Sequence, residues 1–326
     1  MFNPILFFGP ARSTPSWHWV GNDVATYLSS SEEVRIFQDE NQLPNDAMVF
    51  WIKAPPKGPA LHTLMCKRAR VVFFPVDTFH SVSDIADANE FLNFCHLIAL
   101  HSASLAPFFD PAKVRHVNHN KYGIAPASRR PGGELLWIGG FQYSPYVLRF
   151  LLGAQLPTDA PVIMLSDSNN PTAVIAAERL AFELGLGKGF GPQTIAGCAN
   201  LVQWSEAKQQ QLLSECRAAF DIKDMSNFNQ RHKPPTKLQK FLCSGIPTAV
   251  SASLPLLESV SVSIPEPDDT VRWLGAEFEM DIQREGERLR PSLSLETIAR
   301  CYQAFAAEVI LDGAAAMDYR QRHSID

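Results

Sequence analysis

The sequence predicts an α/β protein built from two Rossmann-like domains that face a cleft. Three observations predict it. Short, uniformly apolar runs of strand length alternate with helix-patterned segments as far as residue 250. The 326 residues exceed what one ordinary core holds and suit two α/β domains of roughly 100–200 residues each. Residues 126–133, Pro-Ala-Ser-Arg-Arg-Pro-Gly-Gly, have the composition of a linker. The expected boundaries are a first domain over 1–125, the linker at 126–133, a second domain over 134–293 and a C-terminal helical segment over 294–326.

The first domain opens with the apolar run Ile5–Phe8, which Gly9-Pro10 breaks before a polar stretch and a helix over Asn22–Leu28. Val34–Phe37, Met48–Ile52, Val71–Val76, Leu97–Leu100 and Val114–Val117 follow as strands. Polar groups come directly after several of them: Asp77 to Ser81, His101-Ser102 and Asn118-His119-Asn120. In the second domain Leu135–Ile138 is the first strand and Gly139-Gly140 its turn. A helix over Pro145–Leu152, the strand Val162–Leu165 and a helix over Thr172–Leu184 ending at Gly185 come next. Asn200–Trp204 is a strand leading to the helix Ser205–Cys216 with Ser205 as N-cap, and Ala218–Ile222 is a weaker strand. From Leu295 to about Arg322, Ile298, Tyr302, Phe305, Val309 and Ile310 recur at helical spacing as packing residues.

Composition removes several classes of function. Apolar residues at 46% and charged residues at 19% describe an ordered globular chain. A net charge of -5 and a pI near 6.0 argue against a nucleic-acid binder, and Lys67-Arg68-Arg70 is the one dense basic patch. The six cysteines form no Cys-x-x-Cys pair, as expected of reduced thiols in a cytoplasm. The start of the chain lacks the basic flank of a signal peptide, and no run reaches eighteen apolar residues. A cytoplasmic protein is expected, with peripheral contact at the inner membrane face left open. There is no Asp-x-Asp, no zinc-spaced His/Cys cluster, no Walker loop and no Gly-x-Ser-x-Gly elbow, so neither a metal nor a cofactor is expected.

The run from His232 to Val250 carries the most chemistry. A basic, proline-stiffened loop opens a helix, and Gly245-Ile246-Pro247 then turns into the strand Thr248-Ala249-Val250. Thr236 is placed to cap that helix, and Lys237 adds charge where the helix dipole is already positive, which makes sense with an anion there. A lysine-decorated amphipathic helix with Leu238, Phe241 and Leu242 facing the core is the plainer alternative. Gly139-Gly140 after a strand lets backbone N–H groups approach a phosphate, or simply makes a tight turn.

Lysine, a small-residue pair, Gly-x-Pro and an apolar strand together resemble the donor-side helix of GT-B glycosyltransferases. The resemblance implies the GT-B fold with a C-terminal helix returning to the first domain. It also implies transfer of a sugar from a nucleotide-sugar donor, held by the second domain, to a hydroxyl of a glycan or glycan-lipid acceptor at the first. Lys233, Thr236, Lys237, Gly139, Gly140 and Arg12 would then hold the donor diphosphate, and Trp204, Ser166 and Asp167 its base or ribose. Asp167 to Pro171 equally suits ordinary turn and N-cap chemistry, and Trp204 equally suits a core. Asp77, His80 and His18 follow strands of the first domain and are the candidate proton acceptors.

Retaining members of that family often carry two glutamates at positions where this chain has His232 and Lys240. That departure argues against a retaining mechanism and points to a donor or acceptor carrying negative charge. Three alternatives stay open: a catalytically degenerate partner subunit, a two-domain ligand binder, and a nucleotide-sugar epimerase of the same fold.

Overall fold

The structure is a computed structural model, and it describes residues 4–119, 133–154, 156, 161–251 and 260–323. All but Gly133 of the expected linker lies outside the described residues. The chain divides into two compact units: Met1–Asn120 with His232–Pro234 and Ser292–Asp326, and Lys121–Arg231 with Pro235–Pro291.

The first unit holds β1 (Leu6–Gly9), β2 (Val34–Ile36), β3 (Met48–Ile52), β4 (Arg70–Phe74), β5 (Leu97–Leu100) and β6 (Val114–His116). They form one sheet in the order β2-β1-β3-β4-β5-β6, with every pairing parallel. A parallel sheet covered on both faces needs apolar side chains on both, which is why β1, β3 and β5 read as unbroken apolar runs. β4 stops at Phe74, before the run of apolar residues ends, because Pro75 has no N–H to give the ladder.

The helix Leu295–His323 belongs to this unit, as expected of the returning C-terminal segment. Its Tyr302 is fully buried and stacks at 4.6 Å on Phe74, and its hydroxyl donates to the Val20 carbonyl at 2.9 Å. Phe8 and Phe50 complete the aromatic centre, their rings 4.6 Å apart. Ile298, Phe305 and Val309 extend the same core.

The second unit holds β7 (Leu135–Ile138), β8 (Val162–Ser166), β9 (Asn200–Gln203), β10 (Ala218–Asp221) and β11 (Thr248–Val250). Their order is β11-β10-β7-β8-β9, again all parallel. Leu136, Leu165, Leu213, Phe241 and Ile246 form its core. The helix Ala276–Leu289 lies so close to the helix Thr236–Cys243 that a Cβ on Gly286 would sit 2.1 Å from the Leu242 carbonyl oxygen.

Both sheets reverse direction of growth once. In the first the chain builds outward from β1 on one side, then returns to β3 on the other; in the second the reversal lies between β7 and β10. Ligands of doubly wound sheets bind at the carboxyl ends of strands beside such a reversal. Among the described residues no helix is long and apolar enough to cross a membrane.

Candidate functional site

In the second unit, Asp221 ends β10 at the reversal, with 2% exposure. Two ammonium groups meet its carboxylate: Lys237 at 2.7 Å and Lys223 at 3.6 Å. One buried negative charge facing two positive ones leaves a net positive centre at the carboxyl edge of the sheet. Lys237 also lies over the Trp137 ring, 5.3 Å from its centroid, where the π face favours a cation. Lys223 and Asp221 were not foreseen as site residues; the signal available was a charged pair, Asp221 and Lys223, directly after an apolar run.

Thr236 does not cap its helix. Pro235 holds the cap position without a side-chain bond, and Thr236 is the first helical residue, because proline's fixed φ already sets the entry of the chain. Gly139 has a different reason from the one the sequence suggested. Its N–H donates to the Leu165 carbonyl at 3.1 Å, extending the ladder, and a Cβ there would lie 2.4 Å from the Trp137 indole. Gly140 is less constrained, since the nearest atoms to a Cβ belong to the flexible Gln142 side chain.

At the far side of this sheet, Trp204 follows β9 with 45% of its surface exposed. Its backbone N–H donates to the Ser166 carbonyl at 2.7 Å and its indole N–H to Gln209 at 3.3 Å, so the side chain is held although nearly half of the residue stays in solvent. Ser166 is fully buried, and Asp167 accepts from the Phe141 backbone N–H at 2.7 Å, which ties the loops after β7 and β8 together. Ser205 caps the next helix as expected, accepting from the Lys208 N–H.

In the first unit the candidates collect differently. Arg12 and His18 are exposed. Beside them at the reversal, Lys53 follows β3 with φ 73° and donates from Nζ to Ser16 Oγ at 3.1 Å. The exposed His80 gives its backbone N–H to Asp84 at 2.7 Å, within the loop that caps the helix Val82–Asp87. Asp77 follows β4 with φ 49°, and Lys233, in the short stretch that packs with this unit, lies 3.9 Å from its Oδ2. Two non-glycine residues held in the left-handed region at neighbouring strand ends mark backbone strain of the kind found at ligand sites.

Next to Asp77 stands a pair that the sequence did not single out. His101 after β5 and His119 after β6 have ring centroids 4.1 Å apart. His119 is 5% exposed, and among the described residues neither of its ring nitrogens has a hydrogen-bond partner; the Oδ1 of Asp77 is likewise buried without one. Burial holds His119 down to about 4, with Asp77 pulling the other way, and desolvation and then His119 hold His101 well below its usual value. Ser104 bonds Ser102 at 2.9 Å and His232 Nδ1 at 2.7 Å. Among the described residues no three His, Cys, Asp or Glu side chains gather so as to hold a metal ion.

Solved structures share this architecture. AviGT4, a glycosyltransferase involved in avilamycin A biosynthesis, matches with a TM-score of 0.59 over 95% of this chain and 98% of its own, at 11% identity. The chain has the GT-B fold. Spinosyn forosaminyltransferase SpnP matches this GT-B chain with a TM-score of 0.51 over 94% of it and 100% of SpnP, at 12% identity. OtsA matches with 0.57 over 82% of the chain and 74% of OtsA, at 10% identity. At such identities the likeness is one of fold. No family model and no curated protein sequence matches the chain.

Proposed function

We propose that this GT-B chain is a metal-independent glycosyltransferase. It moves a sugar from a nucleotide-activated donor to a hydroxyl of a glycan or glycan-lipid acceptor. The observation that carries the reading is a spacing in the second unit. The exposed indole of Trp204 ends β9, and the Asp221-Lys223-Lys237 centre ends β10, three strand intervals away in the order β9-β8-β7-β10. Three intervals are about 14 Å, comparable with a nucleoside diphosphate laid along the sheet edge. The base would stack on Trp204, and the diphosphate would meet the surplus positive charge.

The chemistry asks little more of this unit. When the acceptor oxygen attacks the anomeric carbon, the bond from that carbon to the phosphate oxygen breaks. The nucleoside diphosphate leaves with the electron pair, and two lysines offset its developing charge without a metal. The acceptor proton passes to a base of the first unit. Asp77, in the turn after the central strand β4 and with one unpartnered carboxylate oxygen among the described residues, is better suited than the exposed His80 or His18. In this reading the donor is a nucleotide sugar and the acceptor a soluble or membrane-surface glycan of the cytoplasm.

Thermal stabilisation against UDP, GDP, ADP, dTDP, CDP and CMP tests it, because a ligand of the native state raises the melting temperature by mass action. A shift with one nucleotide, lost in Trp204→Ala, supports the donor site. Release of that nucleoside diphosphate from its sugar conjugate then separates an active transferase from a degenerate partner subunit, which would bind without turnover. No shift with any nucleotide rejects the reading.

A further inference from the structure

The helix Pro171–Glu183, between β8 and β9 in the second unit, turns its large apolar side chains outward. Ala173, Ala177 and Ala181 form its buried row, whereas Ile175 and Phe182 are each 60% exposed. We propose that this outward face is a symmetric contact with a second copy of the chain, in which two of these helices pack antiparallel about a two-fold axis. The contact lies apart from the donor reading and does not depend on it.

Three observations converge. An ordinary surface helix buries its large apolar residues and shows polar ones to water. Here the inward positions are alanines, four residues apart, and water meets an isoleucine and a phenylalanine. Ile175 and Phe182 stand seven positions apart, two turns and about 10 Å along the axis, so they share one stripe. Lys188 reaches over the Phe182 ring, 6.0 Å from its centroid, and still leaves that residue 60% exposed. Between the two apolar residues come Glu178 and Arg179, both exposed and, among the described residues, in no ion pair within the chain.

The order of these four residues selects the partner. A two-fold contact sets each residue against its counterpart across the axis. With the axis between positions 178 and 179, Ile175 meets the partner's Phe182 and Phe182 the partner's Ile175. Glu178 then meets the partner's Arg179, and Arg179 the partner's Glu178. Apolar side chains lie on apolar ones and each charge on its opposite, twice over. A parallel pairing would instead set Arg179 against the partner's Arg179, and a different protein would have no reason to share this internal symmetry. One pair of 13-residue helix faces, about 20 Å long, is smaller than a standard interface, so the dimer is weak and reversible, with a dissociation constant of about micromolar or above. The helix is the crossover between two parallel strands and runs against both. Antiparallel helices therefore point the carboxyl edges of the two second units in opposite directions, which leaves Trp204 and the Asp221 centre of each copy open.

Analytical ultracentrifugation of the full chain at low salt, from about 1 to about 200 μM, tests this. The expected result is a weight-average mass that climbs from 36.2 kDa toward twice that value. Arg179→Glu places acid against acid and Glu178→Arg places base against base, so each should weaken the dimer at least about tenfold. The two single variants are complementary to each other and should associate when mixed in equal amounts, and the double variant E178R/R179E should dimerise like the native chain. Both positions are exposed, and an unchanged urea midpoint shows that the variants fold. A native chain that stays at 36.2 kDa throughout overturns the inference and leaves the face to a different protein. A dimer undiminished in folded Arg179→Glu, or single variants that stay apart when mixed, overturns it as well.

Discussion

Lys237 Nζ stands 2.7 Å from Asp221 Oδ1, joining the helix after Pro235 to the end of β10 inside the second unit. The carboxylate is 2% exposed, whereas the lysine side chain is 28% exposed. Removing one partner of such a pair strands a buried charge, which costs more than the pair itself contributes. Lys223 remains as a second partner and softens the loss. Lys237→Met is expected to destabilise the chain by about 2 kcal/mol in urea unfolding, and a midpoint equal to the native one would show that Asp221 does not depend on it.

Trp204 offers a contrasting case. With 45% of its surface in solvent it contributes little to the core. Trp204→Ala should change unfolding free energy by no more than about 0.5 kcal/mol, while weakening nucleotide binding at least tenfold in a calorimetric titration. A large loss of stability would make the indole a packing residue and remove it from the site.

Lys240 is half-buried, and burial brings it down to about 8 from 10.5, with Glu206 opposing and Lys237 adding to the shift. A base whose folded value is depressed holds fewer protons folded than unfolded between those two values, so stability rises with pH across that window. Below pH 8 the full penalty of the buried charge is present. Lys240→Met should therefore stabilise the protein at pH 7 by about 1–3 kcal/mol, and should flatten the rise between pH 8 and 10.5 seen for the native chain. Stability of the native chain that stays level over that range would contradict the assignment.

The histidine pair acts at the acid end. His119 falls from 6.5 unfolded to about 4 folded, chiefly through burial, while Asp77 opposes the shift. The folded form binds fewer protons between these values, so stability is complete above pH 6.5 and is lost as the pH drops toward 4. The loss reaches about 3 kcal/mol for this group, and His101 shifts in the same direction. His119→Phe should reduce the slope of unfolding free energy between pH 4 and 6.5, measured with chemical denaturant.

Tyr302 links the C-terminal helix to the first unit through both its ring and its hydroxyl. Tyr302→Phe removes the partner of the Val20 carbonyl and should cost about 1–2 kcal/mol. Tyr302→Ala empties a fully buried aromatic position, and about 3–5 kcal/mol is expected. If the two variants were equally stable, the ring would not be packing against Phe74 as described.

The strands were legible because each parallel strand buries both faces, and runs such as Met48–Ile52 and Leu135–Ile138 have no other reading at that length. Ser205 as a cap was legible for a local reason as well, since a cap is decided within four residues. The sites were not. His101 and His119 lie eighteen positions apart and meet only because β5 and β6 are neighbours, and Lys237 meets Asp221 across sixteen. In the sequence Lys233 and Lys237 looked like one basic cluster, yet Lys233 pairs with Asp77 in the first unit and Lys237 with Asp221 in the second. Sequence proximity carried no information about partners separated by a whole crossover.

Gly139 carries a warning for mutational surveys of this chain. Its missing Cβ is where the Trp137 indole lies, and its N–H already belongs to the ladder with β8. A library randomised at position 139 and selected merely for soluble expression would return glycine, and the same library selected for catalysis would return glycine too. Invariance at that turn would report the width of an indole ring, so the glycine pair after the first strand of the second unit is no measure of phosphate contact until the neighbouring tryptophan is made smaller alongside it.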